Sequence, residues 1–267
     1  MKIPVLRLLI GLSLFLNACQ LAKPEDPILV VDVEKEFLVD MWEKLEGDAR
    51  FFQLPIQTVK EEDCLNYGID VHLERSSRRL DLSFNDIVKP EDCIPGTGPA
   101  SASVDFGSLT LGYYEISFSL KETIVNKGRL IIGADYYELD IESENGLSFL
   151  HEKLHRVPKS MLWGRISYAD PQTEETARAL YSDLSAIAAP PLALNPGYYG
   201  HFTIGENLSV REVKVSDSFP QKEHAMDFIL DFRNGEFEKL KDVLDRYRSE
   251  YGEQLYIFAK NGRGELF

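Results

Sequence analysis

The chain has 267 residues, of which 44% are hydrophobic, and its 29 lysines and arginines stand against 44 aspartates and glutamates. The resulting formal net charge of −15 argues against a nucleic-acid partner, because affinity for nucleic acid comes mainly from lysine and arginine at the phosphates. The negative charge also argues against electrostatic binding to anionic lipid headgroups. The length of the chain suffices for two modest domains with separate cores.

The first nineteen residues, MKIPVLRLLIGLSLFLNAC, predict export from the cytoplasm. A basic start is followed by an apolar run at 8–16, which is typical of a secretory signal peptide and too short for a permanent membrane span. The ending L-N-A-C resembles the lipobox of bacterial lipoproteins. That resemblance implies removal of the signal peptide 1–18 and acylation of Cys19. The alternative is an ordinary cleaved signal peptide in which the cysteine occurs by chance.

Residues 19–27 contain two prolines and mixed charges, which predicts a short extended tether. Gln20 follows the cysteine, in place of the aspartate that is associated with retention in the inner membrane. The lipoprotein resemblance therefore implies an envelope protein that acyl chains hold at the membrane, most simply the outer membrane. Both a periplasmic and a surface-exposed location remain open.

The two remaining cysteines, Cys64 and Cys93, are predicted to form a disulfide. An exported chain meets an oxidising compartment, where an even pair of thiols is normally oxidised. The bridge would close a loop of about thirty residues and contribute about 3 kcal/mol on the chain-entropy model. The alternative is two separate buried thiols.

Residues 28–147 are predicted to form a short helix and then an immunoglobulin-like β-sandwich. Apolar residues on one face predict the helix at 35–46. About seven short strands with alternating apolar residues follow, most clearly at 113–120. Within them, the segment 109–116 resembles the tyrosine corner of immunoglobulin-like domains. The resemblance implies that the Tyr114 hydroxyl hydrogen-bonds to the chain a few residues upstream.

A linker helix at 148–160 and a second domain at 161–267 are predicted next. The second domain has the order β-α-β-β-β-α-β, with helices at 173–187 and 236–251. This order is close to the ferredoxin-like split β-α-β plan. The predicted fold class is therefore α+β with two domains, an immunoglobulin-like β-sandwich followed by a ferredoxin-like α+β domain.

The sharpest chemical motif is H-E-x-x-H at 151–155. On a helix, residues four apart share a face, so His151 and His155 would hold one Zn²⁺ while Glu152 activates its bound water. Glu174 follows after eighteen residues, a spacing that resembles the gluzincin metallopeptidases. That resemblance implies that Glu174 is the third zinc ligand.

The surrounding sequence favours a linker helix without metal. Lys153 and Arg156 are charged, at positions that zincin families usually keep uncharged because their motif helix is buried. Pro158 ends any helix within a turn of the motif. Glu174 also has an ordinary role as an acid in the first turn of a helix. We therefore expect no cofactor, with zinc as the alternative.

The sequence contains no G-x-S-x-G elbow, no Walker loop and no dinucleotide glycine fingerprint. Tyrosine pairs at 113–114, 136–137 and 198–199 place one ring on each face of a strand, and the outward rings would offer a surface to sugar or protein. The predicted function is a non-enzymatic, membrane-anchored binding or assembly module with an envelope protein or glycan partner. The alternative is a zinc-dependent hydrolase with Glu152 as its general base.

Overall fold

The computed structural model describes residues 33–190, 192–216 and 218–267. The predicted signal peptide, the tether and Cys19 lie outside the described residues. Residues Glu34–Phe267 pack together as one compact unit. Within the described part of the chain, no helix combines the length and the apolar character needed to cross a bilayer.

Of the described residues, 51% lie in strands and 15% in helices. The first eleven strands are β1 (Phe37–Val39), β2 (Trp42–Glu46), β3 (Ala49–Cys64), β4 (Gly68–Ser76), β5 (Arg79–Val88), β6 (Pro95–Asp105), β7 (Gly112–Leu120), β8 (Ile124–Ile132), β9 (Tyr136–Ile141), β10 (Leu147–Phe149) and β11 (Lys153–His155). The later elements are β12 (Met161–Tyr168), α1 (Pro171–Ile187), β13 (Gly197–Tyr198), β14 (Phe202–Ile204), β15 (Val210–Val213), β16 (His224–Asp231), α2 (Phe237–Tyr251) and β17 (Leu255–Asn261).

Strands β1 to β11 form one curled sheet. Ten of them follow the order β10-β1-β3-β6-β4-β5-β7-β8-β9-β11, and β2 pairs with β3. The ends of this order, β10 and β11, are separated in the chain only by residues 150–152, so the sheet curls until its two edges approach each other. Because side chains alternate along a strand, every second residue points inward. The inward residues share one hydrophobic core that includes Phe52, Leu82, Phe84, Phe118 and Leu130.

The C-terminal part is layered around a small antiparallel sheet with the order β16-β12-β17. Helices α1 and α2 cover one face of this sheet, where Leu180 and Leu244 are fully buried. Strands β13 to β15 form a separate sheet that covers the other face, together with Leu45 of the curled sheet. The central strand β12 is therefore buried on both faces, and a Cβ at Gly164 would come within 2.2 Å of the Phe258 carbonyl oxygen.

The predicted fold class is wrong. Residues of the first region make a single curled sheet, not the two stacked sheets of an immunoglobulin-like sandwich. No ferredoxin-like α+β domain is found in the described part of the chain, although most of the predicted C-terminal strands and both helices exist. The reason is strand pairing: β13, β14 and β15 bond to one another and leave only three strands beneath the helices.

The two shorter predicted helices are also wrong. The segment 35–46 contains β1 and β2, and the segment 148–160 contains the end of β10 and all of β11. An isolated helix of about twelve residues is only marginally stable in water. Both segments can instead hydrogen-bond to neighbouring strands of the curled sheet. Leu147 pairs with Phe37, and Leu154 pairs with Tyr137, so sheet hydrogen bonds replace those of a helix.

The predicted disulfide is confirmed. Cys64 at the end of β3 is bonded to Cys93, with 5.5 Å between their Cα atoms. The bridge closes a loop with a sequence separation of 29 and fixes the segment that leads into β6. On the chain-entropy model, a disulfide that closes a loop of this length stabilises the folded protein by about 3 kcal/mol, because it reduces the entropy of the unfolded chain.

The hydroxyl of Tyr114 hydrogen-bonds to Thr110, four residues upstream. It accepts from the Thr110 backbone N–H at 3.1 Å and lies 3.0 Å from the Thr110 hydroxyl. The ring is buried, and the guanidinium of Arg78 lies 4.8 Å above it. The hydroxyl therefore joins the start of β7 to the loop that precedes it.

Candidate functional site

The H-E-x-x-H residues do not lie on a helix. His151 and Glu152 follow β10, and His155 ends β11. His155 stacks against Tyr199 with 5.0 Å between the ring centres, and burial lowers the pKa of its imidazole. His151 contacts Asp40 and Tyr198 instead, so the two imidazoles have different partners.

Glu174, the predicted third ligand, lies in the first turn of α1 and forms an ion pair with Arg178 at 2.6 Å. Glu152 is exposed, and its backbone carbonyl accepts from the Leu139 N–H. Among the described residues, no three histidine, cysteine, aspartate or glutamate side chains are close enough to hold a metal ion. The structure therefore does not bring the predicted zinc ligands together.

His151 instead belongs to a polar cluster between the curled sheet and strand β13. Its Nδ1 lies 2.8 Å from Oδ1 of Asp40, and its ring stacks on Tyr198 at 3.6 Å. The Tyr198 hydroxyl donates to Oδ2 of Asp40 at 2.8 Å and accepts from Lys214 at 3.0 Å. Burial and the Asp40 carboxylate raise the pKa of Tyr198 far above its usual value. These groups satisfy one another, so the cluster joins two layers of the fold.

A second cluster surrounds the carboxylate of Glu43, which is fully buried. Its Oε1 accepts from the Tyr137 hydroxyl at 2.8 Å and from Arg156 Nε at 2.9 Å, and its Oε2 lies 3.2 Å from Arg50. Arg50 also donates to the carbonyl oxygen of Val157 at 3.0 Å. One buried negative charge thus holds the guanidinium groups of β3 and of the chain that follows β11.

The outer face of the curled sheet carries a row of alternating charges across four strands. Arg79 of β5 is opposite Glu115 of β7, Glu115 is opposite Arg129 of β8, and Arg129 is opposite Asp140 of β9. All four side chains are exposed, whereas residues next to them in the same strands are buried, namely Leu80, Tyr114, Ile116, Leu130 and Leu139. Opposite charges at directly paired positions favour this pairing of the strands.

Tyr113 lies beside this row in a surface groove. Two adjoining clefts of about 540 and 390 Å³ share Arg79, Tyr113 and Glu115. Tyr113 is 63% exposed, so its ring is open to solvent. Gly112 adopts φ +118°, and a Cβ there would lie 2.8 Å from the Arg78 guanidinium. We call this feature, formed by Arg79, Tyr113, Glu115 and Arg129 with their cross-strand neighbours, the tyrosine groove.

Charges in the tyrosine groove are locally paired, although the chain as a whole is strongly acidic. Arg79 lies 2.7 Å from Asp81, and Arg129 lies 2.5 Å from Asp140. Burial acts to raise the pKa of Asp81, but hydrogen bonds from Ser117 and Arg79 keep it below its usual value. The charges that line the two clefts are nearly balanced beside an exposed aromatic face: four are positive (Arg78, Arg79, Lys127 and Arg129) and three are negative (Asp81, Glu115 and Glu142). This surface is suited to an uncharged ligand that is rich in hydroxyl groups.

The sequence predicts an outward tyrosine at 113–114 but not the groove around it. No family model, no curated protein and no solved structure matches the chain. The groove depends on the parallel pairing of β5 with β7, which brings Arg79 beside Glu115 across more than thirty intervening residues. No local pattern in the sequence predicts this pairing.

Proposed function

We propose that this chain is a lipid-tethered protein of the bacterial envelope and that its ectodomain is a non-enzymatic binding module for an uncharged glycan. The observation that carries the binding proposal is the exposed ring of Tyr113 next to the row of paired charges. The tether is supported by the lipobox-like ending at Cys19, which lies outside the described residues.

A sugar ring matches the tyrosine groove in two respects. Its apolar C–H face stacks on an aromatic ring, which in Tyr113 is open to solvent. Its hydroxyl groups donate and accept together, as do the carboxylate of Glu115 and the guanidinium groups of Arg79 and Arg129. A strongly charged ligand would have to compete with the existing ion pairs, so a neutral glycan is favoured over a charged one.

Replacing Tyr113 with alanine is expected to weaken glycan binding by about tenfold or more, because the stacking face is lost. The measurement uses a lipid-free form of the protein that begins at residue 20, and it records how strongly this protein is retained on immobilised neutral and charged polysaccharides. Tyr181→Ala is the matched control, since that tyrosine is 39% exposed on α1 and distant in sequence from the groove. Binding should also change little between low and high salt. Equal retention of the two variants, or no retention on any neutral polysaccharide, contradicts the proposal.

Acylation at Cys19 is tested separately. The mature protein from cells is expected to begin at Cys19 and to carry acyl chains. The Cys19→Ser variant should incorporate no labelled palmitate, and it should therefore leave the membrane fraction and appear in the soluble fraction. Mass spectrometry of the amino terminus checks this. Retention of residues 1–18, or a free thiol at Cys19 in intact cells, contradicts the lipoprotein assignment without bearing on the groove.

A further inference from the structure

The tyrosine groove consists of two clefts that lie next to each other. The larger, of about 540 Å³, is lined by Ser76 and Ser77 where β4 turns into β5, and we call it the hairpin cleft. The smaller, of about 390 Å³, is lined by Ser117 and Lys127, and we call it the strand cleft. Sites for small molecules have volumes of about 300–1,000 Å³, so each cleft is large enough for a small ligand of its own.

The two clefts meet at three side chains that line both of them. These are Arg79, Tyr113 and Glu115, whereas Gly112 lines only the hairpin cleft and Ser117 lines only the strand cleft. A strand rises by about 3.4 Å per residue, so the groove extends over about 17 Å of β7 between Gly112 and Ser117. A single sugar ring is similar in size to the ring of Tyr113 and therefore covers only part of this length.

Both ends of the groove are open to solvent. Ser76 and Ser77 are exposed at the hairpin end, and Lys127 and Glu142, which line the strand cleft, are exposed at the other end. A ligand that continues past either cleft therefore enters solvent and does not meet the core. This shape fits an internal part of a polysaccharide, whereas a site for a chain terminus would be closed on one side.

Arg78 holds the backbone on both sides of Tyr113. Its guanidinium donates to the carbonyl oxygen of Leu111 from Nη1 and from Nη2, each at 3.1 Å. Its own carbonyl oxygen accepts from the Glu115 N–H at 2.8 Å. The junction of the two clefts is therefore ordered before a ligand arrives, which reduces the entropic cost of binding.

The two clefts present different polar groups to a ligand. The hairpin cleft adds the hydroxyls of Ser76 and Ser77, which both donate and accept hydrogen bonds. The strand cleft adds the ammonium of Lys127, which only donates, and the carboxylate of Glu142, which only accepts. Two neighbouring sugar units would therefore have different contacts, which gives a bound chain a preferred direction along the groove.

We propose that the tyrosine groove binds two consecutive units within a linear, uncharged polysaccharide, one unit in each cleft, with the ring of Tyr113 in contact with both. This inference rests on the proposed glycan function and adds the form of the ligand, which is neither a free monosaccharide nor a chain terminus. Once one unit is bound, binding of the unit linked to it is intramolecular, so the affinity rises steeply with the second unit.

The test begins with retention of the lipid-free protein that begins at residue 20 on cellulose, amylose, mannan, galactan and chitin. No retention on any of them contradicts the glycan function itself and this inference with it. Soluble fragments, from the monomer to the octamer, are then prepared from a polysaccharide that retains the protein. Isothermal titration calorimetry should show that the dimer binds at least about tenfold more tightly than the monomer.

Fragments longer than the dimer distinguish internal binding from recognition of a chain end. The affinity per chain should rise in proportion to the number of adjacent unit pairs, because each pair is a separate site for the groove. An affinity that stays constant from the dimer to the octamer indicates recognition of a chain end and overturns the inference. Equal affinity for the monomer and the dimer also overturns it. Both results leave the glycan function standing.

Variants of the protein assign one unit to each cleft. Ser76→Val removes a hydroxyl from the hairpin cleft alone, and Lys127→Ala removes a donor from the strand cleft alone. The dimer should bind at least about threefold more weakly to each variant. Both positions are exposed, so folding should be unaffected. Lys239→Ala, at an exposed lysine of α2, is the matched control and should bind like the unchanged protein. Unchanged affinity for the dimer in either cleft variant overturns the assignment.

Discussion

Replacing Glu43 with alanine is expected to lower the free energy of unfolding by about 3–5 kcal/mol. The carboxylate is fully buried and is the shared acceptor for Tyr137 and Arg156, with Arg50 at 3.2 Å. Burial already lowers the pKa of Arg50, and the Glu43 charge is what opposes that effect. Removing it leaves two guanidinium groups in a poorly hydrated site without a compensating charge. Urea denaturation, followed by the fluorescence of the two tryptophans, measures the loss.

Glu46→Ala is the matched control for this prediction. Glu46 lies in the same strand and forms an ion pair with Lys44 at 2.5 Å, but its side chain is 54% exposed. Exposed pairs contribute about 0–1 kcal/mol, so the control should unfold almost like the unchanged protein. Similar losses in the two variants would show that burial does not set the strength of the Glu43 cluster. If Glu43→Ala were more stable than the unchanged protein, the desolvation penalty of the buried charges would exceed their Coulombic attraction.

Local patterns of this sequence predict its regular elements better than their arrangement. The alternation at 113–120 identifies β7, and the apolar periodicity at 173–187 and 236–251 identifies α1 and α2. Each of these segments carries its own signal, because inward residues repeat at two or at about 3.6 positions. The assignment of β13 to β15 to a separate sheet depends instead on pairing between distant segments, which no local pattern records.

The segment 151–155 shows how a motif depends on its surroundings. The spacing of His151 and His155 has a chemical meaning on a helix, but the chain there is at the edge of the curled sheet. Leu154 is fully buried and pairs with Tyr137 of β9, so the hydrogen bonds of the sheet hold this segment as a strand. The predicted linker helix and the predicted zinc ligands therefore fail for one reason, which is that the sheet needs a strand at this position.

The tyrosine groove was not predicted from sequence for a related reason. Tyr113 is recognisable as an outward residue, but its charged neighbours come from β5, β8 and β9.

Stability is expected to fall as the pH falls below about 6.5, and His201 is expected to account for part of that loss. Its side chain is 4% exposed, lies against Trp42 and Trp163, and has Nε2 3.0 Å from the Glu43 carbonyl oxygen. Burial, with a smaller effect of Lys260, lowers the pKa of His201 from 6.5 to about 3. Between these values the unfolded chain binds a proton that the folded chain refuses. Each pH unit in this window therefore costs at most about 1.4 kcal/mol from this residue.

His201→Gln isolates this contribution, because the amide keeps an N–H for the Glu43 carbonyl but does not titrate. The free energy of unfolding of each protein is measured from pH 8 to pH 4. The quantity of interest is the difference between the two proteins at each pH, because the carboxylates contribute equally to both and cancel. The unchanged protein should lose stability more steeply below about pH 6.5, and the two slopes should agree above pH 7. His72→Gln, at an exposed side chain of β4, should not change the slope. Parallel curves for His201→Gln and the unchanged protein would mean that this histidine takes up its proton in the folded state.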